Sequence, residues 1–386
     1  MLDFEYSIPT KIFFGQKKIG KIGPEIKKYA ARVLLVYGKV SIKKIGLYDK
    51  LIKVLKNSNI TYKELTGIKP NPRITNVRKG IKLCRAHSLE LILAVGGGSV
   101  IDCAKAIAAG FYYNSDPWDF FSKKAQIEKA LPIGVVLTLA ATGSEMNGFS
   151  VISNQETQEK LAAGSEVLRP RFSFLDPSCT FTVSKKHTAA GVVDIYSHVL
   201  EQYFCLTEGT FIQDKLAEAI LETCIKYGPI ALREPKNYPA RANLMWASSL
   251  ALNGLLTYGK IGDWSTHYIE HQISAVYDLT HGVGLAILTP YWMEYVLDKK
   301  TLPKFVEYAR KVWSIDEADE FAAAKEGIEK TRDFFNRLGM PKTLSEVGVE
   351  DKRLVDMAKK ITSFGPVGSF RELKEQDVLK ILKAAL

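Results

Sequence analysis

Residues Leu91-Ile-Leu-Ala-Val-Gly-Gly-Gly-Ser99 indicate the fold class most clearly, because they join an apolar strand to a glycine-rich loop that opens a helical pattern running through Ala108. Glycines at such a junction let a phosphate approach the backbone, and a helix start offers unpaired N–H groups and a positive dipole end. The pattern is not GxGxxG and follows a later strand, so the ordinary dinucleotide fingerprint is absent. A tight turn alone needs fewer glycines, and the loop therefore predicts anion binding.

Strand and helix patterns alternate on both sides of this stretch. Apolar runs typical of buried strands occupy 33–37, 60–65, 133–137 and 172–175, and helical patterns occupy 43–56 and 75–87. This alternation predicts a parallel sheet with crossover helices. The opening residues 4–14 predict a small hairpin or an edge strand, and such an edge can pair with a second subunit.

Strand-like runs become scarce after Asp176-Pro177, and Ser184 is a predicted N-cap. Helical patterns then cover 189–202, 212–227, 241–256, 263–276, 303–313, 317–338, 352–362 and 375–386. We therefore predict an α/β dinucleotide-binding domain with a parallel sheet over residues 1–183. An all-helical metal- and substrate-binding domain is predicted over residues 184–386.

The composition is that of an ordinary soluble protein, with 46% hydrophobic and 25% charged residues in a chain of 386. No apolar run reaches the roughly 18 residues that span a bilayer, and we predict no signal peptide in the opening residues. The 5 cysteines are scattered and contain no CxxC pair. These features predict free thiols, a cytoplasmic location and no membrane association.

The formal net charge of +11 is spread along the chain as short basic pairs. A nucleic-acid-binding protein would carry a basic stripe with interleaved aromatic residues or a known motif, and neither is present. We expect a lysine-rich solvated surface and no nucleic-acid partner. The modest positive field would help to attract a polyanionic cofactor.

Asp194, His198, His267 and His281 are candidate ligands for one metal ion. Asp194 and His198 are four residues apart in a helical pattern, which places both side chains on one helix face. His281 precedes Gly282, which leaves room around its ring. One carboxylate and several imidazoles form a site for a first-row divalent metal, Fe(II) or Zn(II).

His267 and His271 are also four residues apart, so both lie on one face and spacing alone does not decide which binds the ion. A catalytic metal keeps an open coordination position, so one of the two could serve substrate or cofactor instead. Glu270, one residue off that face, is interpreted as a structural or supporting carboxylate. His87 and His187 are interpreted as ordinary packing or surface residues.

Gly38-Lys39-Val40-Ser41 follows the first strongly apolar strand, a position that commonly meets the adenosine ribose. An acidic residue there binds both ribose hydroxyls and repels a 2′-phosphate. Because Lys39 follows the glycine and Ser41 is nearby, the loop favours NADP(H) over NAD, with NAD still possible.

Together these residues resemble the iron-containing, or group III, alcohol dehydrogenases, and within them the NADPH-linked butanol dehydrogenase and aldehyde reductase branch. The resemblance covers essentially the whole chain, although the branch often has further glycines where this chain has Lys39-Val40. It is carried by residues 37–48, Pro70-Asn-Pro-Arg73, Gly96-Gly-Gly-Ser-Val-Ile-Asp-Cys-Ala-Lys105, Thr138-Leu-Ala-Ala-Thr-Gly-Ser-Glu-Met-Asn147, Asp194-Ile-Tyr-Ser-His198, Gly262-Asp-Trp-Ser-Thr-His-Tyr-Ile-Glu-His271 and His281-Gly-Val-Gly-Leu-Ala286.

The resemblance implies that the four candidate ligands hold the ion and that His271 lies next to the nicotinamide as a candidate for proton relay. It also implies a homodimer. The residues that it assigns to the cofactor, together with those of the ribose loop, are Gly38, Lys39, Ser41, Asn71, Gly97, Gly98, Ser99, Asp102, Thr138, Leu139, Thr142 and Lys160.

The implied reaction is reversible hydride transfer between NADP(H) and a small alcohol or aldehyde. A polyol dehydrogenase of the same superfold would use NAD, for which an acidic residue at Lys39 would have been favourable. A metallohydrolase would leave the phosphate loop without a purpose unless its substrate were a phosphate ester. A lyase resembling dehydroquinate synthase would need a highly anionic substrate, whereas residues 194–281 are largely apolar and aromatic.

Overall fold

The computed structural model describes all 386 residues, which form two compact units. The α/β unit comprises Ser7–Val183 and Pro235–Ser249, and the helical unit comprises Met1–Tyr6, Ser184–Glu234 and Leu250–Leu386. The division between the units therefore differs from a single boundary at residue 183 by two segments. The first six residues belong to the helical unit, and a segment of the second half belongs to the α/β unit.

A six-stranded parallel sheet forms the centre of the α/β unit, which confirms the predicted fold class. The strands of the chain are β1 (Lys11–Phe14), β2 (Arg32–Tyr37), β3 (Thr61–Leu65), β4 (Leu91–Gly96), β5 (Ile133–Leu137), β6 (Phe149–Asn154), β7 (Glu159–Gly164) and β8 (Phe172–Leu175). The order across the sheet is β1-β8-β5-β4-β2-β3, and β6 and β7 form a separate antiparallel pair.

The central strands are buried on both faces because successive side chains enter two different cores. On β2, Leu34 and Val36 belong to one hydrophobic cluster, whereas Val33 and Leu35 belong to the other. β4 and β5 divide in the same way, and every residue of both is buried. This two-sided burial explains why these strands read as continuous apolar runs.

Helices cover both faces of the sheet. They are α1 (Ile22–Ile26), α2 (Ser41–Lys44), α3 (Leu47–Asn57), α4 (Ile74–Ala86), α5 (Gly98–Gly110) and α6 (Trp118–Phe121). The single helix expected over 43–56 is broken, because Gly46 adopts φ +67 and separates α2 from α3. At the edge of the sheet, β1 pairs in parallel with β8, so the opening residues form an edge strand and no hairpin.

After residue 183 the chain contains the expected run of helices and one helix that was not predicted. They are α7 (Lys185–Tyr203), α8 (Phe211–Arg233), α9 (Tyr238–Ala251), α10 (Ser265–Tyr277), α11 (His281–Val296), α12 (Leu302–Trp313), α13 (Glu320–Arg337), α14 (Leu354–Ile361) and α15 (Glu375–Ala384). Most of α9 belongs to the α/β unit. Ser184 caps α7 as expected, since its hydroxyl accepts from the His187 N–H at 3.3 Å.

The missed helix, α11, is buried at nearly every position, so its sequence shows no polar face. Pro290 lies inside it and weakens the helical pattern further. Neither α11 nor any other helix of the structure combines the length and apolar character needed to cross a bilayer.

Candidate functional site

Three of the expected metal ligands meet in the helical unit. Asp194 lies on α7, His267 on α10 and His281 at the start of α11, and one ligand atom from each lies within 4.8 Å of the others. His281 Nε2 is 3.6 Å from Asp194 Oδ1. Three separate helices thus bring a carboxylate and two imidazoles to one point.

Two atoms of this group are buried without a hydrogen-bond partner: Asp194 Oδ1 and His267 Nε2. More than about 90% of buried polar groups in proteins have a partner, and leaving one unpaired costs about 1–3 kcal/mol. A cation would offset that cost, because it accepts lone pairs from both atoms. The group therefore fits a divalent metal such as Fe(II) or Zn(II).

Each of the two imidazoles is hydrogen-bonded to a carboxylate through its Nδ1 atom. His267 Nδ1 donates to Glu201 Oε1 at 2.9 Å, and His281 Nδ1 donates to Glu270 Oε2. A proton held on Nδ1 leaves the lone pair on Nε2, the nitrogen that each ring then offers to a metal. Glu270 thus contacts one candidate ligand, and its role as a supporting carboxylate stays a prediction.

Glu201 was missed at the sequence level, although a signal was present. It lies seven residues after Asp194 on α7, and residues at i, i+4 and i+7 share one helix face. Its Oε1 also accepts from the backbone N–H of His267 at 2.9 Å. Glu201 therefore fixes both the start of α10 and the ring of His267.

His198 lies beside this group but outside the set of mutually close ligand atoms. Its ring centroid is 4.5 Å from that of His267, and its buried Nδ1, which has no hydrogen-bond partner, is 3.5 Å from Asp194 Oδ1. Burial lowers the pKa of His198 to about 3, so the imidazole is neutral near pH 7. A neutral imidazole is the form that binds metals.

His271 forms a second close group with Glu270 and His281. It is buried, and its ring centroid is 5.3 Å from that of His281 and 6.4 Å from that of His267. The structure therefore places His267 with Asp194 and His281, and His271 one helical turn further along α10. The role of His271 in proton relay stays a prediction.

The expected dinucleotide loops lie at the carboxyl ends of the parallel strands in the α/β unit. Gly38 follows β2, Gly97 follows β4 and Thr138 follows β5. The strands that follow β2 along the chain lie on its two sides, so the direction of winding reverses between β2 and β4. Ligands of open α/β sheets bind at such a switch point. Gly38 and Gly97 are positioned at its two walls.

The glycines of the predicted phosphate loop have a packing role. A Cβ on Gly98 would lie 2.4 Å from Thr142 Oγ1, and a Cβ on Gly97 would lie 3.0 Å from the Cβ of Leu139. The loop after β5 thus packs directly on the start of α5, and no larger residue fits. Ser99 occupies the first turn of α5, which has 13 residues.

The remaining candidate cofactor residues differ in exposure. Lys39 and Ser41 are exposed near the end of β2, as a ribose contact requires. Asn71 is buried in the left-handed conformation with φ +51, and Lys160 is buried on β7. Burial at Asn71 and Lys160 means that any contact with a cofactor would involve few of their atoms.

Asp102 is buried on α5 and serves the protein's own backbone. Its Oδ1 accepts from Ser144 Oγ at 2.6 Å and its Oδ2 from Val151 N at 3.1 Å. Burial raises the pKa of the Asp102 carboxyl, and the charge of Lys105 opposes that shift. The structure thus gives Asp102 a role in holding the segment between β5 and β6.

Lys105 is fully buried one turn further along α5 and was not singled out in the sequence. Its Nζ donates to Ser144 Oγ at 2.8 Å, Asn147 Oδ1 at 2.9 Å and the carbonyl of Phe149 at 2.8 Å. Burial lowers the pKa of Lys105 to about 7. Lys105 and Asp102 together attach the segment that follows Thr142 to the helix that opens with the phosphate loop.

Trp264 has a strained backbone immediately before α10. Its φ of +68 and ψ of 2 lie in the left-handed region, which costs a bulky residue about 1–2 kcal/mol. Asp263 holds the turn, because its carboxylate accepts from the N–H groups of Ser265 at 3.0 Å and Phe370 at 2.9 Å. The indole contacts the rings of two expected ligands, with centroid distances of 5.6 Å to His267 and 6.3 Å to His198.

A parallel sheet with dinucleotide loops and a helical unit with a carboxylate–imidazole group are typical of a metal-dependent dehydrogenase. The family model described as Iron-containing alcohol dehydrogenase matches residues 9–177, and the model described as Fe-containing alcohol dehydrogenase family, C-terminal, matches residues 188–386. The chain belongs to the iron-containing alcohol dehydrogenase family. It is a metal-dependent oxidoreductase that interconverts alcohols and aldehydes with NAD(P)(H).

Individual relatives agree over nearly the full length. NADH-dependent butanol dehydrogenase A of Clostridium acetobutylicum is 57% identical over 99% of both chains. NADPH-dependent aldehyde reductase of Escherichia coli is 41% identical over 95% of this chain and 94% of that protein. The crystal structure of NADH-dependent butanol dehydrogenase A from Thermotoga maritima superposes with a TM-score of 0.96 at 40% identity, covering 100% of this chain and 99% of that one. The predicted family and activity are confirmed.

Proposed function

We propose that this enzyme reduces short unbranched aldehydes, and oxidises the corresponding alcohols, at one divalent ion. This proposal rests on the group of Asp194, His267 and His281, whose ligand atoms lie within 4.8 Å of one another. His198 completes the set through its neutral imidazole. Butanal and butanol are the substrates of choice, because relatives at 57% and 40% identity are butanol dehydrogenases.

The bound ion would supply Lewis-acid polarisation of the substrate's carbon–oxygen bond. The protein's own part is to hold the ligand atoms in place before the substrate arrives. Glu201 and Glu270 keep His267 and His281 in the tautomer that directs Nε2 toward the ion. Helices α7, α10 and α11 would hold the three ligands on rigid elements, and the ligand atoms of Asp194 and His267 are buried, whereas the side chain of His281 is 21% exposed.

The cofactor residues would orient the dinucleotide through the loops at the switch point. Backbone N–H groups at the start of α5 would bind the pyrophosphate, and Gly38 would accommodate the adenosine ribose. His271 is proposed to hold and release the proton that the substrate oxygen exchanges. Its buried position one helical turn from His267 supports this role.

Cofactor preference is proposed to be relaxed, with both NADH and NADPH accepted. The exposed charge of Lys39 favours the 2′-phosphate of NADPH. The names of relatives point in both directions, since the protein at 57% identity is NADH-dependent and the one at 41% is NADPH-dependent. Lys39 is proposed to set the ratio between them.

The decisive assay follows absorbance at 340 nm with butanal and either dinucleotide, before and after chelation of the metal. We expect turnover with both, its loss on chelation and its return with Fe(II) or Zn(II). Turnover that persists in metal-free protein would contradict the metal proposal. No turnover in protein of full metal content would contradict the substrate proposal.

The variant Lys39→Ala tests the cofactor proposal. We expect its KM for NADPH to rise about fivefold, equivalent to about 1 kcal/mol for a surface charge pair, with KM for NADH unchanged. Lys82→Ala, an exposed lysine on α4, is the control. Equal changes for the two dinucleotides would show that Lys39 does not meet the 2′-phosphate.

A homodimer is proposed as the solution state. β1 is an edge strand of the sheet, and the opening segment exposes Met1, Leu2, Phe4 and Tyr6, each between 48% and 56%. Exposed apolar side chains and open strand edges are typical of subunit contacts. Light scattering should give twice the chain mass of 43.0 kDa. A monomer at all concentrations would contradict this proposal.

A further inference from the structure

We propose that Trp264 determines which substrates reach the metal group, by limiting the width of the carbon chain beside it. This inference rests on the proposed function. It begins from a backbone outlier: a tryptophan at φ +68, where glycine or asparagine is the usual residue. Strained residues persist only where the surroundings force them, and they cluster at functional sites.

Two neighbouring residues, Gly262 and Asp263, place the indole. A Cβ on Gly262 would lie 2.9 Å from Trp264 Nε1, so glycine is required for the ring to lie where it does. Asp263, whose carboxylate accepts from Ser265, Ser369 and Phe370, fixes the turn on both sides. Gly262 and Asp263 thus hold the turn in the conformation that places the Trp264 side chain.

The position of the ring links it to the site. Its centroid lies 5.6 Å from that of His267 and 6.3 Å from that of His198, both in edge-on geometry. Trp264 is only half-buried, whereas both histidines are buried. An indole that packs on two expected metal ligands and stays partly accessible can form a wall for an apolar substrate, and it has no titratable group.

A purely structural role does not account for these facts. A core tryptophan would be fully buried on a relaxed backbone, as Trp292 on α11 is. Trp264 instead stays partly accessible on a left-handed backbone and packs on the rings of two expected ligands. An unbranched alkyl chain can lie along the face of such a ring, whereas a branched one would collide with it.

The test compares Trp264→Gly and Trp264→Phe with the wild type, with Trp246→Phe as the control. Trp246 is 40% exposed on α9 in the α/β unit. The measured quantity is the ratio of kcat/KM for butanal to that for 2,2-dimethylpropanal, in protein of verified metal content. We expect the ratio to fall at least about tenfold in Trp264→Gly and less in Trp264→Phe, and to be unchanged in the control.

Two readouts do not depend on turnover. Co(II) added to metal-free protein should quench tryptophan emission less in Trp264→Phe than in Trp246→Phe, because the quenched indole is the one beside the ligands. Trp264→Gly should also melt above Trp264→Ala, since both lack the ring and only glycine relaxes the left-handed backbone.

The outcomes separate this inference from the proposed function. An active Trp264→Gly with full metal content and an unchanged substrate ratio would overturn the inference alone. A wild type that reduces neither aldehyde would overturn the proposed function and the specificity assigned to Trp264 with it. Equal Co(II) quenching in the two phenylalanine variants would place the ion away from Trp264 and would also overturn the inference.

Discussion

The Lys105 network in the α/β unit and the Asp194 group in the helical unit both bury ionisable side chains, but they differ in their hydrogen bonding. Lys105 Nζ has three acceptors for its three hydrogens. Asp194 Oδ1 and His267 Nε2 have no hydrogen-bond partner. A buried network that satisfies itself positions the backbone, whereas one that leaves lone pairs unpaired is prepared for a ligand.

Removing a ligand from the unsatisfied group should have the largest effect. For Asp194→Asn we expect metal content near zero and a loss of kcat/KM of roughly 10³-fold or more, equivalent to about 4 kcal/mol. Elemental analysis and the butanal assay measure these. Asp298→Asn, whose side chain is 44% exposed, is the matched control.

Thermal melting sharpens the same prediction. Metal at about 100 times its Kd should stabilise the wild type by roughly 2.7 kcal/mol, and Asp194→Asn should gain almost nothing. An Asp194→Asn variant that keeps its metal and its melting shift would mean that the unpaired atoms are not ligands. The missing hydrogen bonds of the Asp194 group would then not indicate a binding site, and the difference from the Lys105 network would have no functional significance.

Disruption of the Lys105 network should mainly lower the stability of the protein. Lys105→Met leaves Ser144, Asn147 and the Phe149 carbonyl without their donor and Asp102 without its counter-charge, which we expect to cost about 3 kcal/mol in the free energy of unfolding. Metal content should be unchanged, and the Kd for dinucleotide should rise because the segment after Thr142 loosens. The control is Lys82→Met, which should change stability by less than about 0.5 kcal/mol.

The pH dependence gives a second readout of Lys105. Its pKa is about 7 in the folded protein and 10.5 in the unfolded chain, so between these values the unfolded state binds more protons. The contribution of Lys105 to stability should therefore become more favourable as pH rises, by up to about 1.4 kcal/mol per pH unit. Comparison of wild type and Lys105→Met by chemical denaturation from pH 7 to pH 10 should show this slope only in the wild type. Parallel curves would show that Lys105 stays charged throughout.

The smallest expected effect concerns the carboxylates behind the ligands. Glu201→Gln and Glu270→Gln should each weaken metal binding by about 10- to 100-fold, because an amide orients an imidazole less strongly than a carboxylate does. Competition with a chelator measures the affinity, and Glu222→Gln on α8 is an exposed control. Undiminished affinity in both variants would limit the role of these residues to packing.

The parallel sheet was predictable because strands buried on both faces form continuous apolar runs, and β2, β4, β5 and β8 all have this pattern. The hairpin of β6 and β7 was missed, since Glu159 and Lys160 interrupt any apolar run there. α11 was missed for the opposite reason, because a helix buried all round has no period to detect.

The candidate site also contains residues that were predictable from the sequence and residues that were not. Histidines are rare in this chain, so clusters such as His267 and His271 attract attention in the sequence. Glu201 had only its spacing from Asp194 as a signal. Lys105 and Trp264 had none, because their roles depend on contacts that only the tertiary structure provides. A left-handed φ at a tryptophan has no signature in the sequence.

The path of the chain through α9 has a consequence for truncation and gene shuffling. Met245 is fully buried in a core cluster of the α/β unit, and Ser249 Oγ donates to the buried Glu145 at 2.5 Å. A fragment that stops at residue 183 would expose that core and leave a carboxyl without its donor, although the two family models meet near that residue. Chimeras of this enzyme with its relatives should therefore take residues 235–249 from the same parent as the sheet. Crossover points chosen in this way keep the residues of one core together, although these residues are far apart in the sequence.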